Sequence, residues 1–362
     1  MPEKRDLGLD LLKGIGCVLM IVAHSKLKMW NYDRFFFWGN LAPAFFFAVA
    51  GITATFQVQK YKPRTVLLSS LMLFLLGFSY NATRDINFLA NFTFEIIQTI
   101  ALGSLTVYLV EKYIHPISWV YLLMGFACFF LNGFIAYLLH GREFSWLTGI
   151  WVTPGVFPYI PWLSLFFIGA FAYKVNNYYN LLVFFITSIV YYSLYRFQVP
   201  DVSISKWDFL FDYFFALVIA ISIVFFLLRS VKFLQNPAGM GLLLFWGKNS
   251  LLFFYIHYAF ITYFRSLKIQ HEVELIWNHP YLFWVLTLAA TTIAMFIIIF
   301  FAQWVEPVFN NMWVWGILTV LVFITPLLVE QERLFYFLEL AYGIIFATFY
   351  QALSRMIKRQ EV

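Results

Sequence analysis

Apolar runs of about 20 residues recur along this chain from one end to the other, and nothing in the sequence constrains its fold more. Each run is long enough for a helix to cross about 30 Å of hydrocarbon. A transmembrane β-barrel would instead show alternating segments of about ten residues. Inside a bilayer every backbone N–H and C=O must be bonded within the spanning structure, so continuous apolar runs fold as helices. Of the 362 residues, 62% are hydrophobic and 12% are charged, about half the charged share of a soluble domain. The chain therefore reads as all-α, a polytopic integral membrane helix bundle of about 10–12 transmembrane helices in one domain over 1–362.

The expected spans are about 8–27, 36–58, 65–80, 94–111, 117–139, 159–174, 180–197, 209–229, 249–265, 281–304, 313–329 and 335–354. Two longer loops are expected at 140–157 and about 198–208. With the N-terminus cytoplasmic, 14 of the 24 lysines and arginines fall on the cytoplasmic side, the direction of the positive-inside rule. The polar MPEKRDLG start has no small-residue cleavage site after its span, so the first span is expected to be retained. The net charge of +6 suits anionic headgroups and an anionic substrate alike. No soluble basic domain exists to hold nucleic acid. Cys17 and Cys128 sit inside apolar runs and form no disulfide framework or zinc pattern.

One span stands apart. LDLLKGIGCVLMIVAHS (Leu9–Ser25) carries Asp10, Lys13 and His24. Ionisable groups in a spanning helix are expensive, and they face a protein interior or a water-filled path. Lys13 and His24 fall within roughly 20° of one helix face, roughly 16 Å apart along the axis. A cation near one surface and an imidazole deeper in the bilayer suit a long ligand, anionic at one end and reactive at the other. His24 can act as a general base near neutral pH. The plain alternatives are a hydrogen-bonded histidine at a helix end and an interfacial Asp10–Lys13 pair one turn apart, with Lys13 snorkelling to the headgroups. Gly14 and Gly16 permit a neighbouring helix or ligand to come close, and Cys17 and Met20 would keep the stripe apolar and narrow.

Further candidates lie elsewhere. Lys60, Lys62 and Arg64 cluster at the second cytoplasmic turn, either as ordinary positive-inside charge or as phosphate contacts. Arg64 is the strongest of them, since a guanidinium can hold phosphate bidentately. In GKNSLLFFYIHYAF (Gly247–Phe260), Asn249, Ser250 and His257 interrupt an apolar helix that Lys248 precedes. They read as interhelical packing bonds, or as groups that orient a substrate. Trp162 opens the sixth span and is expected in the aromatic belt at the outer interface. His115, His140, His271 and His279 fall in predicted loops, and no metal is expected. Asn81 and Asn91 head glycosylation patterns in a predicted external loop.

Asp10, Lys13, Gly14 and His24 match the first-helix pattern of the transmembrane acyltransferase superfamily, an acidic residue, a basic residue with glycine, then an apolar run and a histidine. The chain resembles that group, which includes the acyltransferase 3 proteins and the heparan-α-glucosaminide N-acetyltransferase-like membrane proteins. Lysine stands where arginine is more usual. Leu41–Gly51, the basic turn before the third span, Ile160–Gly169 and Gly247–His257 are similar in order to the heparan-acetyltransferase-like branch. The resemblance implies an acyltransferase that moves an acyl group, acetyl by expectation, from cytoplasmic acyl-CoA to a carbohydrate or glycan-lipid acceptor. It implies His24 as the base or an acyl relay. Lys13, Arg64, Lys62, Lys60 and Lys248 would meet the phosphates of CoA. Asp10, Trp162, Asn249, Ser250 and His257 would support the substrates. Expected partners are acyl-CoA, that acceptor and membrane lipids, with a homodimer left open, and the plasma (inner) membrane is the expected location. The competing class is a transporter or channel with a Lys- and His-lined path; its halves would show repeat symmetry, and none is seen. A ligand-binding, non-catalytic relative is the third reading.

Overall fold

The computed structural model describes residues 6–25, 32–139, 147–197, 209–235, 237, 239–269 and 280–359. Lys4, Arg5, His140, His271, His279, most of the 140–157 loop's first half and the 198–208 loop lie outside the described residues. Among the described residues the elements are helices α1 (Leu7–Ser25), α2 (Tyr32–Lys60), α3 (Pro63–Leu76), α4 (Phe78–Ala82), α5 (Ile96–Tyr113), α6 (Ser118–Leu138), α7 (Tyr159–Lys174) and α8 (Asn177–Arg196). They continue as α9 (Phe211–Ser230), α10 (Lys232–Gln235), α11 (Gly241–Lys248), α12 (Ser250–Ile269), α13 (Pro280–Val305), a 3₁₀ turn (Glu306–Asn310), α14 (Met312–Leu328) and α15 (Glu332–Arg359).

Every apolar run of the sequence is a helix. Among the described residues eight segments are long and apolar enough to cross a membrane, and Ser250–Tyr263 and Met312–Leu328 are shorter apolar helices. The chain is an all-α, multi-pass integral membrane protein. Its outward apolar side chains fit that solvent: Leu123, Phe134, Ile189, Phe300 and Trp313 are all exposed, as lipid tails allow and water would not. The third run is one candidate span, Pro63–Ala82, interrupted once. It breaks after Leu76 at Gly77 and resumes as the short α4. As a result Asn81 is a buried helix residue and not the loop asparagine its glycosylation pattern suggested. Asn91 is exposed, and its amide donates to Asp85 Oδ2 at 2.8 Å.

The chain forms two compact units. The first comprises residues 1–12, 43–70 and 92–240. Its centre is α7, where every residue from Pro161 to Ala172 is buried. Small residues let neighbours approach it, the usual device for helix packing in lipid. A Cβ on Gly51 would lie 2.2 Å from the Phe166 carbonyl oxygen, and one on Gly169 would lie 2.4 Å from that of Ala48. Several polar groups at the helix ends are paired. Lys174 Nζ donates to both Glu111 carboxylate oxygens at 2.6 Å, and the Tyr121 hydroxyl donates to the same carboxylate. Arg229 donates to the carbonyls of Tyr173 and Val175.

The second unit comprises residues 13–42, 71–91 and 241–362. Here α12 is central, packing on α13 and α15, and α15 packs in turn on α4 and α14. Residues Leu252 to His257 are buried without a break. The Tyr255 ring occupies the space over Gly343, where a Cβ would lie 2.0 Å from it, and its hydroxyl shares a 2.9 Å hydrogen bond with Ser79.

Candidate active site

In the second unit α1 runs beside α11 and α12, in the same direction. Three contacts in rising order establish this. Gly14 meets the backbone of Leu243 so closely that a Cβ would lie 2.1 Å from its carbonyl oxygen. Cys17 Sγ lies 3.8 Å from the Trp246 carbonyl oxygen. The His24 and His257 rings then meet edge to face, with centroids 5.3 Å apart and planes at 90°. The junction between α11 and α12 keeps the two in line. Asn249 N–H donates to the carbonyls of Phe245 and Trp246, and its own carbonyl accepts from Phe253.

Two polar positions singled out in separate stretches of sequence are thus neighbours. His257 is fully buried. Its Nδ1 lies 2.9 Å from the Phe253 carbonyl oxygen. A carbonyl only accepts, so Nδ1 carries the proton and Nε2 of the neutral ring is a bare acceptor. That Nε2 is buried without a hydrogen-bond partner. Leaving a buried polar atom unpaired costs about 1–3 kcal/mol, a cost that an apolar side chain of similar size would not incur.

Aromatic side chains complete the surroundings. The Tyr258 ring stands edge-on to His24 at 6.1 Å and to Tyr80 at 5.1 Å, and Tyr80 packs on Phe254 at 4.5 Å. Tyr258 also lines a cavity of about 260 Å³ with Thr83, Arg84, Thr262, Tyr336 and Leu340. Neither Tyr80 nor Tyr258 stood out in the sequence. In a chain with 22 tyrosines, a tyrosine beside His257 gives no signal distinguishable from an ordinary interfacial one.

The remaining sequence candidates divide between the units. Lys13 is half-buried on α1, Lys248 is exposed at the end of α11, and Ser250 opens α12 half-buried. The Asn249 side chain turns back on its own helix, Nδ2 donating to the Phe245 carbonyl at 2.9 Å. These belong to the second unit with His24 and His257. Asp10, Lys60, Lys62, Arg64 and Trp162 belong to the first. Asp10 is buried, whereas Lys60, Lys62 and Arg64 are exposed around the α2–α3 turn. Trp162 is not a belt residue. It is fully buried within 5.1 Å of Phe47, 5.0 Å of Phe157 and 4.9 Å of Phe209. Proline-led helix starts do sit at interfaces, but here α7 is enclosed by protein along its length. Among the described residues no group of three His, Cys, Asp or Glu could hold a metal ion.

A multi-pass membrane helix bundle with a lysine, then a histidine, on its first helix, and a second buried histidine against that one, belongs to the class of intramembrane proteins built around ionisable side chains. The comparison with protein families narrows this. The family model for heparan-alpha-glucosaminide N-acetyltransferase, catalytic, matches residues 5–194, just over half of the chain. The chain belongs to that family of membrane acetyltransferases. No curated protein and no solved structure matches it. The matched span contains Lys13 and His24 but ends before α9, so His257 and Tyr258 come from a part of the chain that the family match does not reach.

Proposed function

We propose that this protein transfers an acetyl group from acetyl-CoA, taken up on the cytoplasmic side of the plasma membrane, to a hydroxyl or amine of a carbohydrate or glycan-lipid acceptor. The observation that carries the reading is the edge-to-face contact of His24 with His257 at 5.3 Å, on the helix that also bears Lys13. His24 is the base. It takes the proton of the acceptor O–H or N–H as that atom attacks the thioester carbonyl. The new C–O or C–N bond forms, the C–S bond breaks, and the departing CoA thiolate receives the proton from His24. His257 acts as a positioning residue, its ring held by the Phe253 carbonyl and packed against His24.

Lys13 supplies a cation for the CoA phosphates at the opposite end of α1 from His24, and the pantetheine arm suits the interval of roughly 16 Å between them. Lys248, in the same unit, adds positive charge for those phosphates. Family membership supports the enzyme over the transporter.

The test is a transfer assay with radiolabelled acetyl-CoA on the full chain in lipid nanodiscs, wild type beside His24→Ala. Direct transfer predicts that His24→Ala binds acetyl-CoA normally and labels acceptor about 10²–10⁴-fold more slowly. It also predicts that wild-type protein incubated without acceptor carries no label after acid quenching. Protein that binds no acetyl-CoA would overturn the reading, and labelled wild-type protein would replace direct attack by an acyl-histidine relay.

A further inference from the structure

The last helix carries an acid where its packing has no use for one. Along α15 the buried positions Phe335, Glu339, Gly343, Phe346, Phe349 and Leu353 recur every three or four residues. That spacing is one face of a helix, the face turned to protein. Every member but Glu339 is apolar. Glu339 is fully buried, and both of its carboxylate oxygens lack a hydrogen-bond partner. A leucine would fill such a position without a polar atom to satisfy. An unpaired carboxylate there is among the least favourable groups to bury, and an ionisable residue kept inside a membrane helix marks a function.

The elements packed on α15 bring no cation to this face. They are α4, α12, α13, α14 and the 3₁₀ turn. No charged residue occurs in α4, α13 or α14. From α12, the Tyr255 ring faces Gly343, one turn beyond Glu339, and lies close enough to Glu339 to feel its charge. The Tyr255 hydroxyl is bonded to Ser79 of α4, and the Tyr80 ring stands 6.2 Å from that of Tyr255. His257 turns instead to His24 on α1. Arg265 and Lys268 begin ten residues beyond Tyr255, about 15 Å along the axis. In the 3₁₀ turn Glu306 is paired with Arg355. On α15 itself Glu332 and Arg333 are exposed, nearly two turns before Glu339.

The positive ligand of this carboxyl is therefore small. A divalent cation takes about six oxygens or more. The side-chain oxygens placed on this side of α12 are one carboxyl and the hydroxyls of Ser79 and Tyr255, which already bond each other. A proton needs no coordination shell. Water also comes near. Tyr336 and Leu340, three residues before Glu339 and one after it, line the cavity of about 260 Å³. Arg84 and Thr262 in the same wall are exposed, so the cavity opens outward within one turn of the carboxyl.

We propose that Glu339 is a proton-binding site inside the membrane domain: its carboxyl holds a proton in the resting protein and exchanges it with water from that cavity. The site stands apart from acyl transfer, and neither His24 nor acetyl-CoA takes part in it. Loss of the proton leaves a bare charge beside Tyr255, so α15 must shift or water must enter before the carboxylate forms. The second unit thereby has a proton-linked equilibrium of its own.

The test is labelling of the full chain in lipid nanodiscs with dicyclohexylcarbodiimide, read by peptide mass spectrometry. This apolar reagent takes the protonated acid. The O–H adds across one C=N bond, with oxygen going to carbon and the proton to nitrogen. The O-acylisourea so formed rearranges to a stable N-acylurea, with no leaving group. A glutamate in water titrates near about 4.3, so at pH 7.5 only about one in 1,500 carries a proton. Glu339 is expected to gain the adduct at that pH while the exposed Glu330 does not, and the rate is expected to fall as the pH is raised. Glu339→Gln, which keeps the shape of the neutral acid, loses the adduct. Because the wild-type protein carries the readout, the outcome does not depend on how well the variant folds. No adduct at Glu339, or a rate that does not fall with rising pH, overturns the proposal. So does protection by sodium chloride against choline chloride at equal ionic strength, which would make the ligand a metal cation.

Discussion

Both ends of the α1 segment in the second unit meet a neighbouring backbone closely, Gly14 at Leu243 and Ala23 at Gly39, but they differ in what lies beside those contacts. At Gly14 the neighbouring backbone is so close that there is no room for a methyl group. Beside His24 stand two ring edges at 5.3 and 6.1 Å, and one of those rings borders a cavity. Close backbone packing fixes a helix in register and leaves nothing to move. The ring cluster at the histidine end borders open space, since Tyr258 forms part of the cavity wall. The pair suggests a division of labour along one helix, in which the glycine end locks the geometry that the histidine end uses.

The largest effect expected from breaking this contrast is at the open end. His24→Ala should lower acetyl transfer by about 10²–10⁴-fold, the usual contribution of a positioned base, with acetyl-CoA binding by calorimetry and thermal stability unchanged. His257→Gln keeps a hydrogen-bonding side chain and should lose less, through kcat more than through KM for acetyl-CoA. If His257→Gln were as inactive as His24→Ala yet folded normally, His257 would be a catalytic group and not a positioning one.

Next comes the locked end. Gly14→Ala places a Cβ 2.1 Å from the Leu243 carbonyl oxygen, so α1 and α11 must separate. Overpacking of this kind costs about 1–3 kcal/mol. It should appear as a lower midpoint for loss of monodisperse protein on heating. Gly133→Ala is the matching control, because nothing lies within 4 Å of its added Cβ; there the better helix former should be neutral or slightly stabilising. Equal midpoints for the two variants would mean that the close approach at Gly14 does not stabilise the helix pair.

How much of this was legible beforehand depends on the range of the interaction. The helices were readable because a span is a local property, twenty apolar residues in a row. Gly14 was readable as a close-approach site, since glycine beside a lysine in a span has few other uses. Gly77 gives no signal of the interruption in the third run, because glycine is ordinary in membrane helices, and the sequence alone puts Asn81 in a loop. Trp162 was misplaced for a related reason. The belt rule speaks of distance from the bilayer surface and says nothing of which neighbours enclose a side chain. His24 and His257 each stood out as polar in an apolar run. Their contact did not, because it joins residues 233 positions apart and no periodicity within either helix encodes it. The cavity was the least legible feature. Its residues come from three segments and are individually unremarkable by type.

The smaller effects test whether Lys13 really marks one end of a route. Lys13 is half-buried, on the same turn as the locked contact, so water screens it only partly. Lys13→Met should weaken acetyl-CoA binding about ten-fold, the value of one hydrogen bond to a charged group, and should leave binding of dephosphorylated pantetheine analogues unchanged. Lys248 is exposed at the end of α11, the helix whose backbone Gly14 touches. A charge in water contributes about 0.2–1 kcal/mol to a pair, so Lys248→Met should weaken acetyl-CoA by only about two-fold at low salt. Raising salt to about 1 M shortens the screening length to about 3 Å and should erase the Lys248 effect while sparing most of the Lys13 effect. If salt erased both equally, Lys13 would be acting as a distant surface charge. The route from the locked end to the histidine end would then lose its starting point, even if His24 kept its role.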